Sequence, residues 1–305
     1  MKDPCKIGLR GLIPSLHTPF LDNNELDQRS IEKIIDHVIR NNCAGMLIGA
    51  VAGEGESLSI EEKNRFFKLA SEYNNNKIPI IISCTAKKQS DRLKIAKIAQ
   101  ESGVDWMLCQ IPAFDNVENL VSKLMEIEQI GPKYLMLQDL SWDDSGIDIS
   151  IIKHLFKKIK KFKSLKIEVI NSGEKYSKVL KETKGKLHVS GGWAIIEMID
   201  ALDRGVHGLM PSTLEEVFVK IYNLYINDQK KEAISLFNKL LPILRFTHQH
   251  LNISIHFAKL LRVKENIFSS SHSRLPKKSL KDFPLQEAKI ILNKALDLKT
   301  TYKEY

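Results

Sequence analysis

Eight short β-rich apolar runs, each separated from the next by a stretch of helical periodicity, dominate this 305-residue chain and leave few folds open to it. The runs cover 7–16, 44–50, 78–85, 104–111, 133–139, 165–170, 186–191 and 205–211. Between the first two, Ile31, Ile34, Ile35, Val38 and Ile39 stack on one helical face while Glu32, Lys33, Asp36 and Arg40 take the other. The next helix opens on Ser59-Ile60-Glu61-Glu62, the spacing of a capping box. Strict alternation of strand and helix implies a parallel sheet, and eight units in about 220 residues predict a closed (β/α)8 TIM barrel, an α/β fold. The rival is an open doubly wound sheet. It would want GxGxxG after its first strand, which Gly8, Gly11 and Pro14 do not supply.

Past about residue 214 the strand signal stops. Val217, Ile221, Leu224 and Tyr225, then Ala233, Leu236, Phe237, Leu240 and Leu241, follow helical spacing. The expected organisation is therefore a barrel over 1–225 and a C-terminal helical domain over 226–305, with 269–278 as a loop broken by Pro276.

Composition narrows the function class. Lys+Arg 46 against Asp+Glu 37 gives +9, but the basic residues are spread along the chain without interleaved aromatics, so no nucleic-acid partner is expected. Cys5, Cys43, Cys84 and Cys109 form no CxxC pair or dense framework, which fits a reduced, cytoplasmic setting. The opening residues MKDPCKIGLRGLIP lack a leader pattern and no run is long and apolar enough for a membrane span, so an untargeted chain without a membrane partner is expected. His248 and His250 stand two apart and HExxH is absent, so no metal is expected.

Barrel enzymes place chemistry at the C-terminal strand ends, on residues that point inward by the period-2 rule. The sixth strand alternates Leu165, Ile167 and Val169 with Lys166, Glu168 and Ile170. If the apolar face meets the helices, Lys166 points into the barrel, whereas the run Lys153, Lys157, Lys158, Lys160, Lys161 and Lys163 reads as a solvated face. A buried lysine tends to become a neutral amine, which is what a Schiff-base nucleophile needs. A structural ion pair between Lys166 and Glu168, or a snorkelling lysine, is the alternative. Gly49-Ala50-Val51-Ala52-Gly53-Glu54 could bring backbone amides close to a carboxylate, and it could equally be a tight turn without a ligand. Ser190-Gly191-Gly192-Trp193 could clear space at a helix start, and Gln138-Asp139 brings an amide and a carboxylate to the rim, where the Asp could also be a cap.

In order and spacing, these pieces resemble the Schiff-base-forming family of dihydrodipicolinate synthase and N-acetylneuraminate lyase. The landmarks are Gly11-Leu12-Ile13-Pro14, Thr18-Pro19-Phe20, Gly53-Glu54, Leu58-Ser59 with Glu61-Glu62, Pro79-Ile80-Ile81, Pro112, Lys166, Ser190-Gly191, Gly205-Val206-His207-Gly208 and Arg274-Leu275-Pro276. The resemblance implies a barrel with C-terminal helices, an imine on Lys166, a small 2-keto acid substrate, no added cofactor, and a homotetramer or dimer.

The departures are informative. Val51 and Ala52 stand where the family has two threonines, Gln138 replaces its catalytic tyrosine, and Phe114 occupies the position of a proton-relaying aromatic. Tyr134 faces the same side as Gln138 but lies roughly 13 Å down the strand at about 3.3 Å per residue. An amide does not titrate, so Gln138 can orient a hydroxyl but cannot take the proton of a retro-aldol step. Leu137-Gln138-Asp139, Ser145-Gly146 and Lys166-Ile167-Glu168 look like the 2-keto-3-deoxy-L-arabonate dehydratase branch.

The expected activity is thus dehydration of a 2-keto-3-deoxy sugar acid. Lys166 is the nucleophile, Gln138 positions the C4 hydroxyl and Glu168 carries protons, with Asp139 and Asp143 as alternative carriers. Ala50, Val51, Ala52, Gly53, Ser190, Gly191 and Met210 are the expected substrate-binding residues. An aldolase or pyruvate-condensing synthase, and a non-catalytic keto-acid-binding homologue, are the alternatives.

Overall fold

The computed structural model describes residues 7–192, 195–281 and 283–305, so Cys5 and Trp193 lie outside the described residues. Eight strands alternate with helices: β1 (Gly11–Leu12), β2 (Met46–Ile48), β3 (Ile80–Ser83), β4 (Trp106–Gln110), β5 (Tyr134–Leu140), β6 (Phe162–Glu168), β7 (His188–Gly191) and β8 (Gly208–Leu209). The intervening helices are α1 (Gln28–Arg40), α2 (Ile60–Asn74), α3 (Gln89–Glu101), α4 (Val117–Ile130), α5 (Ile149–Lys158), α6 (Ser172–Glu182) and α7 (Met198–Asp203). All strand pairs are parallel, in the order β1-β8-β7-β6-β5-β4-β3-β2. The ring closes between β1 and β2 through the Ser15–Leu47 bridge and the bonds from Leu16 N to Leu47 O and Leu47 N to Pro14 O, both 2.8 Å. The open-sheet alternative is thereby excluded.

Two separate apolar layers explain the closure. Leu9, Ile13, Leu47, Ile81, Trp106, Leu108 and Met136 fill the barrel interior, while alternate strand residues such as Leu165 and Ile167 join the layer beneath the helices. Ile31, Ile34, Ile35 and Val38 of α1 are all buried in that outer layer, each contributing about 1.5–3 kcal/mol. Caps set where helices begin: Asp27 accepts from Ser30 N at 3.1 Å, Asp148 from Ser150 N at 2.7 Å, and Ser59 with Glu62 forms the expected capping box.

The strand boundaries differ from expectation. The first run is a two-residue ladder rather than 7–16: Pro14 has no amide to donate, and around it the chain meets β2 through Leu47 alone, in an isolated bridge. The sixth strand spans 162–168 rather than 165–170. Phe162 and Ser164 already pair with β5, and the left-handed backbone of Asn171 turns the chain into α6. Lys163 therefore sits in a strand and not on a helix surface.

The C-terminal helices are α8 (Glu215–Ile226), α9 (Lys230–Thr247), α10 (Leu251–Lys264), α11 (Lys277–Lys281) and α12 (Leu285–Thr301). Val217, Ile221 and Leu224 of α8 are buried, as are Ala233, Leu236, Phe237 and Leu240 of α9, but Leu241 faces outward. Among the described residues no helix is long and apolar enough to cross a membrane.

A buried charge network ties these helices to α1. Glu215 pairs with Arg262, Arg262 with Glu265 at 2.9 Å, and Lys299 with Glu216 at 2.5 Å and with Glu265. His37 Nε2 lies 3.5 Å from Glu215 and 3.7 Å from Glu216. This trio is the one His/acid cluster with metal-ligand spacing among the described residues. Its countercharges are side chains. Burial opposes a charge on His37, but hydrogen bonds to Glu215 and Glu216 outweigh it and push the imidazole up to about 9, with the Arg262 charge opposing.

A raised histidine stabilises fully below its unfolded value of 6.5 and loses that contribution as pH climbs through about 9. Unfolding free energy should therefore fall by about 3 kcal/mol between those limits, a component absent in His37→Gln. Denaturant titrations of both proteins across this range check it; parallel profiles would refute the assignment.

Candidate active site

A cavity of about 540 Å³ opens at the C-terminal end of the barrel, and Lys166, Glu168 and Gln138 stand together in its wall. Adjacent parallel strands place them: β5 and β6 pair Gln138 with Lys166. Because Leu165 and Ile167 go to the helix-facing layer, period two aims Lys166 inward, where it is 4% exposed. Its Nζ lies 3.1 Å from Glu168 Oε2, and the same oxygen accepts a hydrogen bond from Gln138 Nε2. Gln138 Oε1 is buried with no partner and so remains available to a ligand hydroxyl. The ion pair considered from the sequence does exist, but it borders an open cavity.

The 50–54 loop contributes unequally. Ala50, Val51 and Ala52 line the cavity. Gly53 does not: its amide donates to Ala50 O at 3.0 Å and its carbonyl accepts from Thr18 Oγ1 at 2.5 Å. The Glu54 amide is likewise bonded to Val51 O, so neither of these two amides is available to a ligand. Glu54 itself is a buried strut, paired with Lys259 at 2.5 Å and accepting from Ser273 Oγ and Arg274 N, both at 2.8 Å.

Of the remaining expected residues, Met210 reaches the cavity, whereas Ser190 and Gly191 are buried behind it and Gly192 takes the place foreseen for them. Phe114 packs against the helix-side core. Asp139 alternates with Gln138 and so faces the other way, where it pairs with Lys175 and accepts from Ile147 N at 3.2 Å; burial pushes its carboxyl above the ordinary value despite Lys175. Asp143 is exposed and off the cavity. Glu168 is the carboxylate that meets the amine.

Sequence reasoning did not find the opposite wall. Trp142, just past β5, and Thr247, His248, Gln249 and Asn252, at the junction of α9 and α10, also line the cavity. The apolar-to-polar switch at the end of α9 was the available signal, but nothing local told where that junction would pack.

A Cβ added to Gly192 would overlap Glu168 Oε1 and come within 3.0 Å of Lys166 Cε. Gly192→Ala should therefore displace the carboxylate and slow borohydride-trapped adduct formation with pyruvate by on the order of 10²-fold. The obstructed atoms are side-chain ends, so the melting temperature should change little. An unaltered trapping rate would show that Glu168 can relocate freely.

Residues 8–295 match the profile of the dihydrodipicolinate synthetase family. The 4-hydroxy-tetrahydrodipicolinate synthase of Lactobacillus acidophilus is 30% identical over 105 residues, a match spanning 34% of each chain, so the aligned part is about a third of that relative's length. The Bacillus subtilis protein of that name is 24% identical over 233 residues, 75% of this chain and 80% of that one. Among solved structures, the 4-hydroxy-tetrahydrodipicolinate synthase of Methylacidiphilum fumariolicum SolV superposes with a TM-score of 0.83 at 20% identity, covering 97% of this chain and 98% of that one. N-acetylneuraminate lyase of Proteus mirabilis gives 0.82 at 18% identity, covering 96% and 99%. At these identities the structural likeness speaks for the fold.

Proposed function

The chain belongs to the dihydrodipicolinate synthetase family, and from that premise we propose that it is a Schiff-base lyase of 2-keto acids that eliminates water from a 3-deoxy-4-hydroxy substrate held on Lys166. Enzymes of this family work through a lysine imine with pyruvate and no external cofactor. The observation that carries the elimination is the contact of Glu168 with both Lys166 and Gln138, at the strand ends where a proton-transferring pair is needed.

Lys166 passes a proton to the paired Glu168 and its amine attacks the C2 carbonyl; the carbinolamine hydroxyl then departs as water with that proton, leaving a protonated imine that acidifies C3–H and a Glu168 carboxylate. Glu168 takes the C3 proton and the electrons flow to the imine nitrogen. Their return expels the C4 hydroxyl, which leaves as water with the proton that Glu168 gives back. Gln138 holds the carboxylate through Nε2 and can accept the C4 hydroxyl at Oε1. The Val51 and Ala52 amides supply donors for the substrate carboxylate. Hydrolysis of the imine then frees the product and Lys166.

A 2-keto-3-deoxy sugar acid is the member of this substrate class that the local strings around Gln138 and Lys166 suggest. The second reading is aldol cleavage or pyruvate condensation, favoured by the names of the relatives, with a substrate hydroxyl or water in place of the tyrosine. Purified protein given a 2-keto-3-deoxy acid should yield the dehydrated keto acid rather than pyruvate and an aldehyde. Borohydride should leave a reduced adduct visible by mass spectrometry. Pyruvate as product would favour the second reading, and no adduct with any 2-keto acid would leave a non-catalytic binder.

A further inference from the structure

Apart from Lys166 and Glu168, no charged side chain lines the catalytic cavity among the described residues. A substrate tail ending in a second carboxylate or an ammonium would meet no Asp, Glu, Lys or Arg partner on the far wall. That lining favours an uncharged tail over a charged one.

The cavity is larger than a pyruvyl group needs, and its far wall is polar at one place. The inward faces of α9 and α10 are apolar along most of their length, as Leu240, Ile243, Phe257 and Leu261 show. Where the two helices meet, the chain changes to Thr247, His248, Gln249, His250 and Asn252, all of which line the cavity. Gln249 and His250 are exposed at the turn between the helices, whereas Thr247 is buried and His248 and Asn252 are half-buried beside the cavity. Gln249 donates from Nε2 to Phe246 O at 3.3 Å, which leaves its carbonyl oxygen as an acceptor. Asn252, half-buried in the first turn of α10, brings both an acceptor and two donors. Hydroxyl groups, each donor and acceptor at once, match that mixed set, and Trp142 on the β5 side offers an apolar face to the C–H bonds between them.

We infer that Gln249 and Asn252 are specificity-determining residues that read the hydroxyls of an uncharged, polyhydroxylated tail beyond C4 of the 2-keto acid. This rests on Lys166 as the site of imine formation.

The experiment compares the full chain with Gln249→Ala and Asn252→Ala in two assays. One is turnover of 2-keto-3-deoxy sugar acids and of analogues whose tail ends in a carboxylate. The other is borohydride trapping of pyruvate, which has no tail. Each variant should raise KM for the hydroxylated substrate about tenfold, the worth of one hydrogen bond, while pyruvate trapping keeps the parent rate. The parent should also prefer the neutral tail over the carboxylate. An unchanged KM, an equal loss in pyruvate trapping, or a preference for the charged tail overturns the inference while leaving Lys166 in its role. No pyruvate adduct on the parent overturns both.

Discussion

Lys166→Ala should yield no borohydride-reduced adduct with pyruvate or any larger 2-keto acid, and turnover should fall by at least about 10⁴-fold, as when the nucleophile of a covalent mechanism is removed. Lys166 is the one lysine among the described residues that lines the cavity. The most deeply buried amine, Lys259, is committed to Glu54, to the His272 carbonyl at 2.7 Å and to the face of Phe20 at 4.5 Å, and Lys63 and Lys175, also buried, lie off the cavity as well. Burial lowers the pKa of Lys259, with Glu54 opposing, so a low proton affinity alone does not mark the nucleophile; access to the cavity does. Glu168→Gln should separate binding from proton transfer. The adduct should still form, more slowly as in Gly192→Ala, because the amine remains beside the cavity, but turnover should drop by roughly 10²–10⁴-fold for want of a carrier. Mass spectrometry after reduction and steady-state assays on both variants check this. An adduct persisting in Lys166→Ala would move the chemistry to another amine, and a fully active Glu168→Gln would remove the elimination mechanism.

The half of the site carried by strands was legible because a strand's geometry is local. Lys166 and Glu168 share the inward face by alternation, and the same rule sends Asp139 outward when Gln138 points in, so alternation alone sets Asp139 aside as a proton carrier. Eight apolar runs spaced by amphipathic helices likewise announced the barrel, since eight consecutive parallel strand–helix units are what a sheet needs to close on itself. Loop detail was less accessible. Whether Gly191 or Gly192 meets the cavity depends on one residue of register, and whether Gly53 can grip a carboxylate depends on its amide already being bonded to Ala50. The far wall was out of reach for a different reason: Gln249 and Asn252 meet Lys166 across more than 80 residues of chain, through the packing of helices on a barrel.

That packing is held by charge as well as by apolar burial, and Arg262→Ala should expose the difference. Arg262 is 1% exposed, ion-paired to the fully buried Glu215 and to Glu265, and donates to Ser212 O at 3.3 Å. Burial alone would raise the Glu215 carboxyl, yet the Arg262 charge and His37 hold it far below the ordinary range. Without the guanidinium, Glu215 and Glu265 stay in a dry interface with only His37 and Lys299 to meet three carboxylates. The loss should be about 3–5 kcal/mol, or roughly 10 °C in melting temperature. Because Ser212 is also a cavity residue, the KM for a tail-bearing substrate should rise in the same variant. Removing Glu215 as well should reverse part of the damage: Arg262→Leu with Glu215→Leu leaves two cations, His37 and Lys299, facing two carboxylates, Glu216 and Glu265. The double variant should therefore be more stable than Arg262→Ala despite carrying two changes. Thermal or denaturant unfolding of the set decides the point. A double variant no better than the single one would mean that the helices depend on the packing of the arginine side chain and not on the balance of buried charge.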